Sequence, residues 1–598
     1  MLKKAILCLA VAAANILQAS GTESIEYGHL SYDIIYDGDY HPQATVLRPT
    51  EDIGNSLTIP DYIIYDGQEC PVTAIEDNAF YHCRFTSITL GSNLKWIGSD
   101  AFHSSSVSRL VLPASLTNIY GDGLPSVEEL IIEDGDLSLN FAAAPRNVRT
   151  LYLGRNVFYG KSQGLFPGVS SLTFGEGVTI LNDYIFSGAT NLTLVKLPSK
   201  LEKIGLNAFG NTSITSIEIP PSVTLIEKWA FADSKLNVVR FNSLENAENL
   251  IIRGGAFYNV SLASIYINRT IQQQMTIDAG KMLDSSHASL QNVKFGPFAK
   301  SIDSEFFMDC YNIKDIVLSE GIESIGSYAF YNCKSLSSIT LSNALKSIGT
   351  YAFMDCSALK CVILPENLVS IFYHAFEGCS SLSSINIPDK IEQIDMGTFR
   401  GCSSLEDVTF GSGIKRIEDE AFVNCTSLKT VILPEGVARL GLDCFKGCSK
   451  LARVEFPASL TTFFGAGQFG ECTSLESVVC HGSVPAAPSY GTQGLPFDTQ
   501  TYSTATLWVP DGAAEAYKTA KAWAPFYKIS GVDEIAVNGS EISIENGCIV
   551  SLSDNDFNID IHTAGGMLIY SGKVSASPIL PQGMYIIKST TAKKYMVR

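Results

Sequence analysis

The chain has 598 residues, of which 46% are hydrophobic, and 42 basic side chains stand against 61 acidic ones for a net charge of −19. That balance argues against nucleic acid and anionic lipid as electrostatic partners, and its plainest reading is a solvated acidic surface. The length admits either several globular domains or one long array.

Lys3 and Lys4 precede an apolar run from Ala5 to Leu17, and Ala19, Ser20 and Gly21 follow it. This is the pattern of a secretory signal peptide over residues 1–21, too short to cross a membrane. No later stretch is apolar for long enough to span one, so no transmembrane segment is expected. Residues 22–68 read as an N-terminal cap. Ile34-Ile35-Tyr36 and Tyr62-Ile63-Ile64-Tyr65 look like strands, and each runs into an Asp-Gly turn. The first turn of an array needs such a cover, because it has no neighbour on one side.

Residues 69–480 repeat themselves. Ala79-Phe80 is followed three residues later by Cys83, and Phe102 comes 22 residues after Phe80. The turns around Leu124, Phe141–Pro145 and Leu165-Phe166 are worn, and Phe186, Phe209, Phe231 and Phe257 restore the rhythm. Residues 258–306 break it again. Thr270–Leu283 lacks a Phe corner and reads as a short helix or irregular loop, either a bulge on a worn repeat or a functional excursion. From there the period is strict. Phe307, Phe330, Phe353, Phe376, Phe399, Phe422 and Phe445 are 23 apart, and Phe469 follows after 24. A Cys stands three residues beyond each, from Cys310 to Cys472.

One repeat reads Ala-Phe-x-x-Cys-x-x-Leu-x-x-Ile-x-Leu-Pro-x-x-Leu-x-x-Ile, as over residues 352–371. The Ile-x-Leu part alternates, so it predicts a short strand with one buried face. Pro365 lacks a ladder donor and ends that strand. Leu368 and Ile371 mark a second short segment, and His374-Ala375-Phe376 a tight helical or 3₁₀ corner. One such unit cannot bury its apolar face; about 18 stacked turns bury Leu, Ile, Phe and Cys as columns. The sequence holds 15 Cys, which in an exported chain suggests disulfides. Nine of them, the eight above and Cys83, share one inward repeat position, which favours a buried, reduced column of small hydrophobes. Adjacent turns are close enough that pairing is not excluded by distance.

This frame resembles the BspA-like leucine-rich repeats, with the Ala-Phe-x-x-Cys corner and the Leu-Pro after the strand as the distinguishing residues. The resemblance covers about residues 70–480. It implies a mainly β fold with short helical or 3₁₀ corners, a right-handed leucine-rich-repeat solenoid, a bacterial extracellular setting, and binding rather than chemistry.

Residues 481–531 read as a C-terminal cap. Val484–Phe497 is a Pro/Gly/Ser-rich loop, Thr506–Pro510 a last strand, and Ala513–Trp523 a helix packing through Tyr517 and Trp523. Trp508 and Trp523 are read as covering the last turn, with a sugar platform as the other reading. Residues 532–598 alternate as a small β-sandwich. Their end, with Leu580, Gly583, Tyr585, Ile587, Lys588, Lys593 and Lys594, resembles the sorting domain of the type IX secretion system of Bacteroidetes. That likeness implies passage across the outer membrane.

No catalytic constellation stands out, and neither a catalytic residue, a cofactor nor a metal is assigned. Asp554, Asp556, Asn558 and Asp560 alternate like a calcium loop, but Ile559 and Gly565 occupy the positions where that loop needs Gly and Glu. Cys83 beside His82, and Cys480 beside His481, are neighbours in sequence only. The candidate site is a surface. One outward position lies within each strand: Thr340, Ile363, Asn386, Thr409, Ile432 and Glu455, each 23 apart. They predict a row along one sheet, with two exposed Ile flanked by Lys360, Cys361, Lys429 and Thr430. The reading is a secreted, monomeric cell-surface protein, outer-membrane associated, adhering to an extracellular protein or glycoprotein of host matrix, mucosa or another microbe. A glycan-binding module for nutrient capture is the alternative, and a hydrolase within 258–306 a further one.

Overall fold

The structure is a computed structural model. It describes residues 23–274, 282–489 and 494–532, and beyond them the strands Ile542–Glu545, Cys548–Ser551, Asn558–Thr563, Leu568–Lys573, Tyr585–Ser589 and Lys594–Val597. The signal-peptide segment, Asp554, Asp556 and part of Thr270–Leu283 lie outside the described residues. The chain divides into two compact units, residues 1–306 and 307–598.

Unit 1 opens with an antiparallel meander of Glu23–Tyr27, Leu30–Tyr36 and Pro42–Val46. Pro42–Val46 then pairs parallel with Gln68–Ile75. From there pairing is parallel through Trp96–Ile97, Asn118–Ile119, Leu139–Phe141 and Val157–Tyr159. A second ladder runs through Ser106–Leu112, Ser126–Ile132, Thr150–Arg155 and Ser171–Gly177. Each turn gives one strand to each ladder, which is how a short repeat hides two apolar edges at once. The irregular stretch keeps this register: Ser264–Ile267 pairs with Asn292–Phe295 and Leu250–Arg253 with Ile271–Gln274. Its extra length includes a 3₁₀ turn at Asp284–Ser286.

Unit 2 repeats the plan more evenly. One ladder holds Asp315–Val317, Ser338–Thr340, Cys361–Val362, Ser384–Asn386 and Asp407–Thr409. It is followed by Thr430–Ile432, Arg453–Phe456, Ser477–Cys480, Thr506–Pro510 and Lys528–Val532. The other ladder is made of two-residue strands such as Ser347–Ile348 and Ser370–Ile371. The C-terminal strands differ in kind. Leu568–Lys573, Asn558–Thr563, Tyr585–Ser589 and Lys594–Val597 form one antiparallel sheet in that order.

The corner Phe rings form the spine of the core. In unit 2 successive rings from Phe307 to Phe469 stack with centroids 5.0–5.6 Å apart and planes within 16°. Phe497, which the repeat frame did not include, extends the stack at 5.2 Å. This spacing is slightly wider than the roughly 4.8 Å between strands, so the rings set contact along the stack. In unit 1 the stack is regular from Phe186 to Phe257. It is broken at the worn turns, where buried Leu124 stands between Phe102 and Phe141. The corners are single turns rather than longer helices, because left-handed residues punctuate them. Two residues past the Phe stand Asn332, Asp355, Gly378, Gly401, Asn424 and Gly447, all at positive φ. These types tolerate that region best.

The end of unit 2 is closed by Trp523. Its buried ring packs on Phe456, Phe463 and Phe497 at 5.6–5.9 Å. Its Nε1 donates to the Ala486 carbonyl at 2.8 Å. The last helix is shorter than the sequence suggests, Ala514–Thr519. Trp508, by contrast, stands at the surface.

Replacing Phe376 with Ala removes a fully buried ring held between Phe353 and Phe399. The expected loss is about 3–5 kcal/mol, the usual cost of a Phe-sized cavity, read as a lower urea midpoint. An unchanged midpoint is incompatible with a stacked spine.

Candidate functional site

Three register pairs join residues of the outward row or its neighbours. Val317 pairs with Thr340, Asn386 with Thr409, and Ile432 with Glu455. Ile363 sits one residue past its strand and is 79% exposed; Ile432 is 50% exposed. Thr340, Asn386 and Thr409 are exposed as well. Val317 adds a third exposed apolar side chain, one strand before Thr340. Lys360, Cys361 and Lys429 flank the row at the surface, and Lys429 pairs with Glu406 at 2.5 Å. Such exposed pairs contribute little to stability, so they shape the charge of the face.

Glu455 departs from the row. It is only 4% exposed. Arg453, two residues earlier on the same strand face, donates to its Oε1 at 2.7 Å, and His481 Nε2 lies 3.5 Å from its Oε2. Burial works to raise this carboxyl, but His481 and the Arg453 guanidinium outweigh it and hold it below the ordinary glutamate value. The position points outward, but Arg453 on this strand and His481 beyond the adjacent one close over it. Val479, its partner on the other side, is buried too.

The Cys column from Cys310 to Cys472 is buried, and the thirteen Cys from Cys70 to Cys480 are free thiols. Each Sγ from Cys333 to Cys472 lies 3.1–3.3 Å from the carbonyl of the preceding turn's corner Phe, as Cys356 does from Phe330. Burial pushes the Cys333 and Cys472 thiols up to about 12, and the rest of the column upward as well. Cys83, assigned to this column by its spacing, is only half-buried. Its turn is the first of the repeats: Phe80 stacks on Phe102 at 5.2 Å on one side and meets the edge of Phe85.

Two features had no sequence pattern to announce them. Arg155 and Arg269 are fully buried. Arg155 donates to the carbonyls of Pro113, Ala114 and Leu137, and Arg269 to those of Pro221, Val223 and Glu248. Each ties loops of successive turns together, and burial pulls the Arg269 guanidinium down to about 10, still charged at neutral pH. Among the described residues, one group has metal-ligand types within reach of one another: Asp100, His103 and Asp122. Its Asp122 carboxylate already meets His103 at 3.1 Å and Arg146 at 3.5 Å, so a neighbouring cation occupies the acidic corner. His481 turns to Glu455, and the His82 ring packs on Tyr81. Among the described residues no helix is long and apolar enough to cross a membrane.

Two parallel ladders around a column of stacked corner rings define a leucine-rich-repeat solenoid. The profile of the BspA type leucine rich repeat region matches residues 68–129, 152–276, 285–406 and 371–490, and the chain belongs to that family. No curated protein matches it. Among solved structures, it is similar to a leucine-rich repeat protein from Bacteroides ovatus, at 20% identity over 76% of this chain and 94% of that one, with a TM-score of 0.33. A leucine rich cell surface protein from Faecalibacterium prausnitzii matches at 20% identity over 78% and 96%, with a TM-score of 0.23. The pneumococcal vaccine antigen PcpA matches at 15% over 86% and 99%, with a TM-score of 0.27.

The thiol column makes stability pH-dependent in a stated direction. Unfolded thiols ionise near 8.5, whereas folded Cys333 and Cys472 keep their protons to about 12. Between those values the unfolded chain binds fewer protons than the folded one, so stability falls as pH rises. Each such thiol contributes a slope of about 1.4 kcal/mol per pH unit. The urea midpoint is expected to drop between pH 8.5 and 10.5, and less steeply in a Cys333→Ala variant. Native alkylation at pH 8 is expected to label Cys361 first and to spare the column until urea is added.

Proposed function

We propose that this chain is an exported surface protein that recognises an extracellular protein or glycoprotein through the strand face of residues 315–432. The observation that carries the reading is the row of exposed Val317, Ile363 and Ile432 among small polar Thr340, Asn386 and Thr409. Apolar side chains set singly on a surface mean little, but a series of them along the strand face of successive turns, rimmed by polar groups, is the form of a contact surface. Stacked repeats supply extended faces suited to large partners. Every column residue behind this face is committed to burial, so the outward positions are free to vary with the partner without disturbing the fold.

Export rests on the residues 1–21 pattern and on the likeness of the C-terminal residues to a type IX sorting domain. Together they support a cell-surface location outside the outer membrane. Adhesion to host matrix, mucosal glycoprotein or another microbe is the role that fits that location.

The test is a binding screen of the full chain against matrix proteins, mucins and whole bacterial surfaces. Ile363→Asp and Ile432→Asp change the face without entering the core, because both side chains point to solvent. A saturable partner is expected to bind about tenfold or more weakly to the double variant, a loss of roughly 1.4 kcal/mol or more, with no change in melting temperature. Equal affinity for both proteins moves recognition off this face.

A further inference from the structure

Unit 1 carries a cavity of about 320 Å³ on its corner side, lined by Asn207, Asn211, Trp229, Ala232, Asp233 and Tyr258. This is the lower end of the range for small-molecule sites. We propose that it is a saccharide-binding subsite, taking one neutral pyranose ring of an oligosaccharide. It is separate from the strand face of unit 2 and does not depend on it.

The first observation is a pair of aromatic walls. Trp229 stands two residues before the corner Phe231, at φ +60°, a position that Tyr184, Tyr328 and Tyr351 fill before their own corners. Trp229 and the 54% exposed Tyr258 give the cavity its two aromatic walls. Lys228, outside the lining, places its ammonium 4.2 Å from the indole centroid and helps hold the ring.

The second observation is the set of unused polar valences around those rings. The Asn207 amide donates to Ser187 Oγ at 3.3 Å, which leaves its carbonyl oxygen as an acceptor. Asp233 accepts from Asn259 through Oδ1 at 2.7 Å, which leaves its second oxygen. Asn211 is exposed, and its carboxamide has no bond among the described residues, so it offers both a donor and an acceptor. A pyranose has an apolar C–H face to lie on an aromatic ring and a rim of hydroxyls that donate and accept. The cavity offers the complementary pair of surfaces: flat apolar walls and an acceptor-rich rim with one amide donor. The Asp233 carboxylate disfavours phosphate and other anions.

The full chain is titrated with neutral oligosaccharides of glucose, galactose, mannose, xylose and N-acetylglucosamine, followed by indole fluorescence and calorimetry. At least one is expected to give a saturable response. Trp229→Gly is expected to abolish the fluorescence change and weaken binding at least tenfold while keeping or raising the melting temperature, since Gly relieves the positive φ. Asn211→Gly, which suits the φ of +57° at that position, and Tyr258→Ala, both at exposed side chains, are expected to weaken binding with the fold intact, so the inference stands or falls even if the Trp229 variant unfolds. Three results overturn it: no oligosaccharide binding at millimolar concentration, binding unchanged in all three variants, or the same Trp229-dependent response to tetramethylammonium alone. The last would make the cavity a cation cage.

Discussion

A phenylalanine ring at the corner of a single repeat has two bare faces, and the turn that carries it covers neither. Only the turns above and below do so. This requirement sets the period, because each turn must return the chain to a point about 5 Å along the stack with the ring in the same orientation. It also selects the neighbours of the ring. Ala precedes it where the next turn's backbone accepts its N–H, as Phe353 donates to Ala375. Asn, Asp or Gly follows it where the chain must pass through the left-handed region. Cys lies where a small side chain reaches back to the carbonyl of the preceding corner. The two short ladders are what remains of a turn once its corners are fixed.

Such a core leaves the outward positions unconstrained, and the two units use that freedom differently. In unit 2 the strand face carries isolated β-branched side chains on a polar sheet. In unit 1 the corner side carries Trp229 and its cavity. Among the described residues, three buried charges lie where regularity fails, and Asp395 lies within the regular block. Arg155 and Arg269 bind loop carbonyls of the irregular unit, and Glu455 is satisfied by Arg453 and His481 near the closing end. In each case the polar group has partners, as a buried charge must.

Much of this was legible because the repeat is local in sequence. The Ile-x-Leu alternation, the Pro after it, and Phe and Cys at period 23 each state a contact with the same position one turn away. Reading Thr340, Ile363, Asn386, Thr409 and Ile432 as solvent-facing needed no more than alternation along a strand. Glu455 sits at the same position and is enclosed, because exposure depends on side chains that reach across from Arg453 and His481. Cys83 has the right spacing but belongs to the first turn, whose Phe80 has a repeat ring, Phe102, on one side and the edge of Phe85 beside it. Phe497 joins the spine from within a stretch with no repeat frame, and Trp523 buries itself where Trp508 does not. Alternation along the chain carries no information about any of these.

By itself, the sequence determined that this protein is a stacked repeat with a column of Phe and Cys inside it, since period and residue type specify a contact that recurs at a fixed offset. The tertiary structure alone decided which outward residues are open, which charges are enclosed, and where neighbouring corners leave a cavity. Those depend on side chains brought together from different turns at unequal spacing, and nothing within a single repeat encodes that meeting.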